Sequence, residues 1–192
     1  MSFIIKSLNN TGGRSMEKMV FVVRRAVEMD ISQIKEITGE VFKMYMESAG
    51  IIGTIAAIEE TYEDIKKDIE TKEVFVAILD NKIVGSVRVE IMPDKTGYLS
   101  RFGVASANQN NGVGKVLMNV VDNVMRELNI NYLYLHTASR LLSLVRFYYG
   151  RGFYIESTTN DRGYIRALLC KEYDTVTERN SLDTIYENRA VV

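Results

Sequence analysis

The chain has 192 residues, which fits one domain with a sizeable core. With 46% hydrophobic and 26% charged residues it is globular rather than disordered, and its net charge of −1 gives no general electrostatic reason to bind nucleic acid or an anionic membrane. One cysteine, Cys170, and one histidine, His136, are too few for an internal disulfide or a His/Cys zinc site, so no metal is expected.

Residues 1–18 mix polar residues with a Gly-Gly pair and show no sustained hydrophobic periodicity. We therefore expect a flexible leader that carries no chemistry. Its longest apolar run, Phe3 to Ile5, is too short for a signal-peptide core, and no segment approaches the ~20 apolar residues that cross a bilayer. A cytoplasmic location without membrane contact is the expectation.

A single domain is expected over residues 19–174. A β-branched strand at Val20–Ala26 leads into a helix with apolar residues at helical spacing from Ile31 to Met44, capped by Asp30. One or two further helices are expected between Thr54 and Glu70, where apolar residues share one helical face.

Two β-branched runs, Glu73–Leu79 and Lys82–Ile91, flank Asp80-Asn81, which predicts a tight hairpin. A strand at Tyr98–Val104 is followed by a polar loop, an amphipathic helix and a returning strand at Tyr132–His136. Strand, helix and strand within about 40 residues predict a βαβ unit with two parallel strands.

The C-terminal part predicts a short helix at Leu141–Tyr149, a hairpin of Gly152–Ser157 with Tyr164–Tyr173, and a polar tail over 175–192. The fold class is therefore α/β, with a mixed, mostly antiparallel central sheet, one parallel pair and helices on both faces. An apolar edge strand near Cys170 could pair with a second copy, which would make a homodimer.

The most informative stretch lies between a strand and a helix and reads Gln109-Asn110-Asn111-Gly112-Val113-Gly114-Lys115. Glycines there allow backbone N–H groups to approach a ligand at the positive end of the helix dipole, which suits a phosphate or pyrophosphate. A Walker loop would need Ser or Thr where Val116 stands, and a Rossmann fingerprint would need a glycine at Leu117. The alternative is that these glycines only permit a tight turn.

Two spaced motifs carry a family resemblance. The pattern Gln109-x-x-Gly112-x-Gly114 resembles the acyl-CoA loop of the GNAT superfamily of N-acetyltransferases, and Phe147-Tyr148-x-x-x-Gly152-Phe153 is similar to a segment that the family carries downstream. The resemblance implies the mixed fold predicted above. It also implies transfer of an acetyl group from acetyl-CoA directly to the primary amine of a small-molecule or peptide acceptor.

The same resemblance implies where coenzyme A would bind. Its pyrophosphate would lie on the backbone of Gln109–Lys115, and its pantetheine arm between two splayed strands, against Phe102, Gly103 and Val104. A bulge at Gly103 would leave a backbone N–H to polarise the thioester carbonyl. Otherwise Gly103 is a tolerated strand glycine.

The attacking amine must lose a proton, so a base or a water relay is needed. Some family members place a catalytic glutamate where Tyr98 stands here, which leaves Glu90 and His136 as candidate bases, although a lone histidine is more often structural. Tyr148 corresponds to the tyrosine that protonates the departing thiolate. Its rival is Tyr149, and the non-catalytic alternative is a core aromatic residue.

The acceptor is not assigned by the sequence. Residues 44–70 are expected to shape its site, and Met44, Tyr45 and Met46 either line that site or pack in the core. The alternative to an enzyme is a non-catalytic acyl-CoA-binding regulatory module, which Tyr98 favours because it leaves no carboxylate base at the expected position.

Overall fold

The computed structural model describes residues 2–8 and 19–173. The elements of these residues, in chain order, are β1 (Ser2–Leu8), β2 (Met19–Arg25), α1 (Ile31–Ala49), α2 (Tyr62–Thr71), β3 (Glu73–Leu79), β4 (Lys82–Ile91), β5 (Thr96–Val104), α3 (Val113–Glu127), β6 (Tyr132–Ala138), α4 (Leu142–Tyr149), β7 (Tyr154–Thr159) and β8 (Arg166–Glu172). Short 3-10 turns precede α1 and follow β5. No helix within the described ranges has the length and apolar character that a membrane crossing requires.

One mixed sheet contains the eight strands of the described residues, in the order β1-β2-β3-β4-β5-β6-β8-β7. Neighbouring strands are antiparallel except for β5 and β6, which are parallel. A buried cluster joins α1 and α2 to one face of the sheet, and a larger one joins α3 to the other. The predicted fold class is confirmed.

Most predicted elements are present within a residue or two. The hairpin turn Asp80-Asn81 has φ of 48° and 62°, the left-handed pair that a two-residue hairpin favours. The prediction of a flexible leader is wrong for residues 2–8, which form β1 because the outer edge of β2 offers unpaired backbone groups. Residues 9–18 and the predicted tail at 175–192 lie outside the described residues.

The predicted cap of α1 is also wrong. The Asp30 carboxylate accepts hydrogen bonds from the Arg24 guanidinium at 2.6 and 2.9 Å and from the Val27 backbone N–H at 2.8 Å, and makes none to the first turn of α1. The pair with Arg24 makes two hydrogen bonds between full charges, whereas a cap would join the carboxylate to an uncharged N–H, so Arg24 takes the carboxylate.

A β-bulge interrupts β5 opposite β4. Ser86 pairs with Gly103 while Arg88 pairs with Ser100, so Arg101 and Phe102 together oppose one residue. Arg101 adopts a left-handed φ of 51°. The extra residue reverses the alternation of side chains along the rest of the strand.

The reversal assigns side chains to the two faces of the sheet. A Cβ at Gly97 would contact Met125 of α3, so the next residue, Tyr98, points to the face that α1 covers. After the bulge, a Cβ at Gly103 would meet Val41 of α1, and Phe102 lies against α3. Tyr98, before the bulge, and Gly103, after it, therefore both face α1.

A buried ion network holds the bulge. Arg88 of β4 is fully buried and binds both carboxylate oxygens of Glu60 at 2.9 Å and Asp68 at 2.7 Å. Glu60 also accepts from the Arg101 Nε at 2.6 Å. Because a buried charge without a partner is costly, Arg88 fixes Glu60, and Glu60 fixes the bulged residue.

Glu60→Gln should therefore lower the free energy of unfolding by about 2–3 kcal/mol, since Arg88 and Arg101 lose their shared negative charge. Urea denaturation measures the change. Glu59→Gln removes the same charge from an exposed neighbour and should change stability by less than about 0.5 kcal/mol. Equal effects of the two variants would contradict the role given to the network.

Candidate functional site

A cavity of about 1030 Å³ lies where β5 and β6 separate. The two strands pair at only three positions, from Thr96 with Tyr132 to Tyr98 with Tyr134. Beyond Tyr98, β5 continues to Val104 and β6 to Ala138 without pairing with each other. Their facing edges therefore lack strand partners, and a polar ligand can bind to them.

One wall of the cavity is the predicted phosphate loop, and every residue from Gln109 to Lys115 lines it. Helix α3 starts at Val113 after Gly112, which has φ of 80°, and no side chain caps this helix end. The first backbone N–H groups of α3 therefore have no capping side chain at the end of the helix that lines the cavity, as an anion site requires. The Gln109 side chain donates to the Val104 carbonyl at 3.0 Å and closes the loop onto β5.

Two glycines of the cavity lining serve close packing. A Cβ at Gly114 would lie 3.1 Å from the Phe102 ring, and one at Gly103 would lie 3.1 Å from Val41. The bulge expected at Gly103 lies at Arg101 and Phe102 instead, because Gly103 itself pairs regularly with Ser86. Gly103 lines the cavity with its two neighbours, Phe102 and Val104.

Tyr148 of α4 lines the cavity with only 5% of its surface exposed. Its ring centroid lies 5.4–6.1 Å from those of Phe102, Phe147 and Phe153. Burial, with the nearby Tyr45 phenol, raises the pKa of Tyr148, so the hydroxyl keeps its proton at neutral pH. Tyr149 is 50% exposed and is not a lining residue.

Across the cavity, the Tyr98 hydroxyl and His136 Nδ1 form a hydrogen bond of 2.8 Å. Burial, helped by the positive charges of Arg166 and Arg162, lowers the pKa of His136. The imidazole is therefore neutral at pH 7 and can accept a proton. When Nδ1–H donates to the phenol oxygen of Tyr98, Nε2 carries the free lone pair.

A family model described as "Acetyltransferase (GNAT) family" matches residues 39–153, more than half of the chain. The chain belongs to the GNAT family of acetyltransferases. Comparison with curated protein sequences gives no match.

Solved GNAT structures share the fold. The PaiA N-acetyltransferase of Thermoplasma acidophilum, solved with coenzyme A, is 21% identical with a TM-score of 0.71, over 81% of this chain and 100% of that one. The ribosomal-protein-alanine N-acetyltransferase of Brucella melitensis is 18% identical with a TM-score of 0.63, over 79% of this chain and 99% of that one. At these identities the likeness concerns the fold.

Glu90 does not join the site of this GNAT protein. It lies opposite Tyr98 in the register of β4 and β5, yet it is not among the lining residues. Its carboxylate is 3.2 Å from the Lys72 ammonium, which also binds Asp68. The lysine therefore draws Glu90 away from the cavity.

Several lining residues were not predicted as site residues. Tyr45 accepts a hydrogen bond from the Ala138 backbone N–H at 2.7 Å, so it joins α1 to the free edge of β6, while its neighbour Met46 is buried in the core. From the sequence, Met44, Tyr45 and Met46 were expected either to line the acceptor site or to pack in the core. Further residues missed as site residues include four from the bulge and from the β7–β8 hairpin, namely Arg101, Arg162, Tyr164 and Arg166.

His136 should titrate below its ordinary pKa of 6.5, because burial and two arginines disfavour its charged form. It is the only histidine of the chain, so its imidazole signals in an NMR pH titration need no assignment. A midpoint below 6.5 is expected. A midpoint at or above 6.5 would contradict the description of this side chain.

Proposed function

We propose that the protein transfers an acetyl group from acetyl-CoA to a primary amine by direct attack on the thioester. The observation that carries the proposal is a single cavity lined by an uncapped helix end, by the unpaired edges of two strands and by two groups suited to proton transfer, Tyr148 and the Tyr98–His136 pair. Acetyl-CoA supplies the acyl group in activated form.

The residues of the cavity fit coenzyme A. The N–H groups at the start of α3, together with Lys115, match the charge of a pyrophosphate. Residues 99–104 of β5 lack partners on the β6 side and suit the amides of a pantetheine arm. Phe102 and Phe147 stack with ring centroids 5.5 Å apart and give the cavity an apolar wall beside them.

The base in this proposal is His136. Its neutral imidazole, with Nδ1–H donated to Tyr98, takes a proton from the acceptor's ammonium group through Nε2, directly or through a water, and so produces the neutral amine that attacks. Tyr98 then holds the ring, in the position where some family members carry a glutamate. Tyr98, which favoured a non-catalytic module because it replaces a carboxylate base, thus has a partner, His136, that can serve as the base.

The acid is Tyr148. As the amine nitrogen forms its bond to the acyl carbon, the bond from that carbon to sulfur breaks and the electron pair leaves with the sulfur. The Tyr148 hydroxyl, which burial keeps protonated, gives its proton to that sulfur. The second proton that the nitrogen loses on becoming an amide returns through water to the Tyr148 phenolate, and His136 releases the first one to solvent. Burial also disfavours a free thiolate, so the apolar wall favours proton transfer from Tyr148 to the departing sulfur.

Tyr148→Phe should lower kcat by roughly 10²-fold, the scale of a lost general acid, because the ring and its aromatic contacts remain while the proton is lost. Release of free thiol from acetyl-CoA over a panel of amines measures turnover. Tyr149→Phe is the matched control and should keep the wild-type rate, since Tyr149 lies outside the cavity lining. Equal, small effects would assign Tyr148 to packing, and the absence of thiol release with every amine of the panel would favour the non-catalytic module.

Gly114→Ala should weaken coenzyme A binding about tenfold, because the new Cβ pushes the start of α3 away from Phe102 and displaces the loop N–H groups. Calorimetry gives the affinity, and thermal unfolding confirms that the variant folds. Gly39→Ala is the control, since nothing lies within 4 Å of a Cβ in that turn of α1. Unchanged affinity in folded Gly114→Ala would remove the loop from the proposed site.

A further inference from the structure

The charges of the cavity lining all have one sign. Among the described residues that line it, four carry a basic side chain and none carries a carboxylate. The basic residues are Lys115, Arg101, Arg162 and Arg166. A site that selects a polyamine or another polycation needs carboxylates to replace water around each ammonium, and this lining offers none.

Three of these residues lie apart from the phosphate loop. Ala167 and Leu135 belong to the core beneath α3, so Arg166 and His136, their neighbours along the strands, point to the opposite face. Arg101 also points there, because it reaches Glu60 beside α2. Arg101 and Arg166 therefore share a face with the proposed base, whereas Lys115 belongs to the first turn of α3.

Nearby carboxylates leave this group positive. Asp161 pairs with Arg166, Glu60 is shared between Arg101 and the buried Arg88, and Asp68 also binds Arg88, so these carboxylates offset the three arginines. Arg162 lies in the exposed turn between β7 and β8 and brings the positive charge that remains at the lining. Burial raises the pKa of Tyr98 and lowers the pKa of His136, and in both residues the positive charges of Arg166 and Arg162 act to lower the pKa, while Asp161 opposes them at His136.

We propose that the acceptor is an amine that also carries a carboxylate or phosphate group, held by Arg162 and Arg166 beside His136. This inference rests on the proposed function and names the substrate class of the same cavity. The arginine face attracts the anionic group and repels acceptors with additional ammonium groups. It also favours the neutral form of the attacking amine, because nearby positive charge lowers the pKa of an ammonium.

The test compares acceptors that differ only in charge. The effect of a carboxylate is measured with the tripeptide amides Ala-Glu-Glu, Ala-Gln-Gln and Ala-Lys-Lys, whose side chains are acidic, neutral and basic. The effect of a phosphate is measured by comparing phosphoethanolamine with ethanolamine. Thiol release gives kcat/KM for each. We expect at least one acidic member to exceed its neutral counterpart about tenfold or more, and the lysine peptide to be the poorest.

Arg162→Gln should reduce the ratio of acidic to neutral kcat/KM about tenfold, with the affinity for coenzyme A unchanged. Lys67→Gln removes one positive charge from an exposed position on α2 and should leave the ratio intact. Acetylation of neutral or lysine peptides at rates equal to the acidic ones would overturn the inference while the proposed function stands. A tenfold loss of coenzyme A affinity in Arg162→Gln would overturn it too, by assigning the arginine to the cofactor. Acetylation of no amine would overturn the proposed function, and this inference with it.

Discussion

The site depends on the separation of β5 from β6 after three paired positions. A parallel pair that continued to the ends of both strands would fill the cavity with its own hydrogen bonds. The bulge at Arg101 and Phe102 follows in the separated part of β5, where it shifts the side-chain alternation by one residue and directs Arg101 to Glu60. The same shift places Phe102 against α3 and Gly103 against Val41 of α1.

A buried ion network is a less stabilising way to hold the bulge than apolar packing would be. Well-packed apolar side chains in place of Arg88, Glu60 and Asp68 would stabilise the fold as well or better, because buried charges pay a large desolvation cost. The network instead fixes the position of the bulged residue Arg101, since a carboxylate shared by two guanidinium groups allows these side chains few geometries. It thus couples the segment before α2, the centre of the sheet and the bulged edge of the cavity.

Local patterns in the sequence predicted the strands, helices and hairpins, and the motif around Gly112 predicted the phosphate loop, because these features depend on neighbours in the chain. Glu90 was a reasonable candidate from its strand position, but Lys72, from the end of a different element, binds its carboxylate. Arg162 and Arg166 could not be predicted as site residues, since only the β6–β8 pairing brings them beside His136. Long-range contacts decide both cases.

Coenzyme A is proposed to bind where β5 and β6 diverge. A crystal structure with coenzyme A shows directly whether it binds there. We predict the pyrophosphate on the backbone N–H groups of residues 112–115 and the pantetheine arm between residues 99–104 and 135–138, with its sulfur near the Tyr148 hydroxyl. Coenzyme A bound at another surface, or β5 and β6 paired beyond Tyr98 in the complex, would contradict the account.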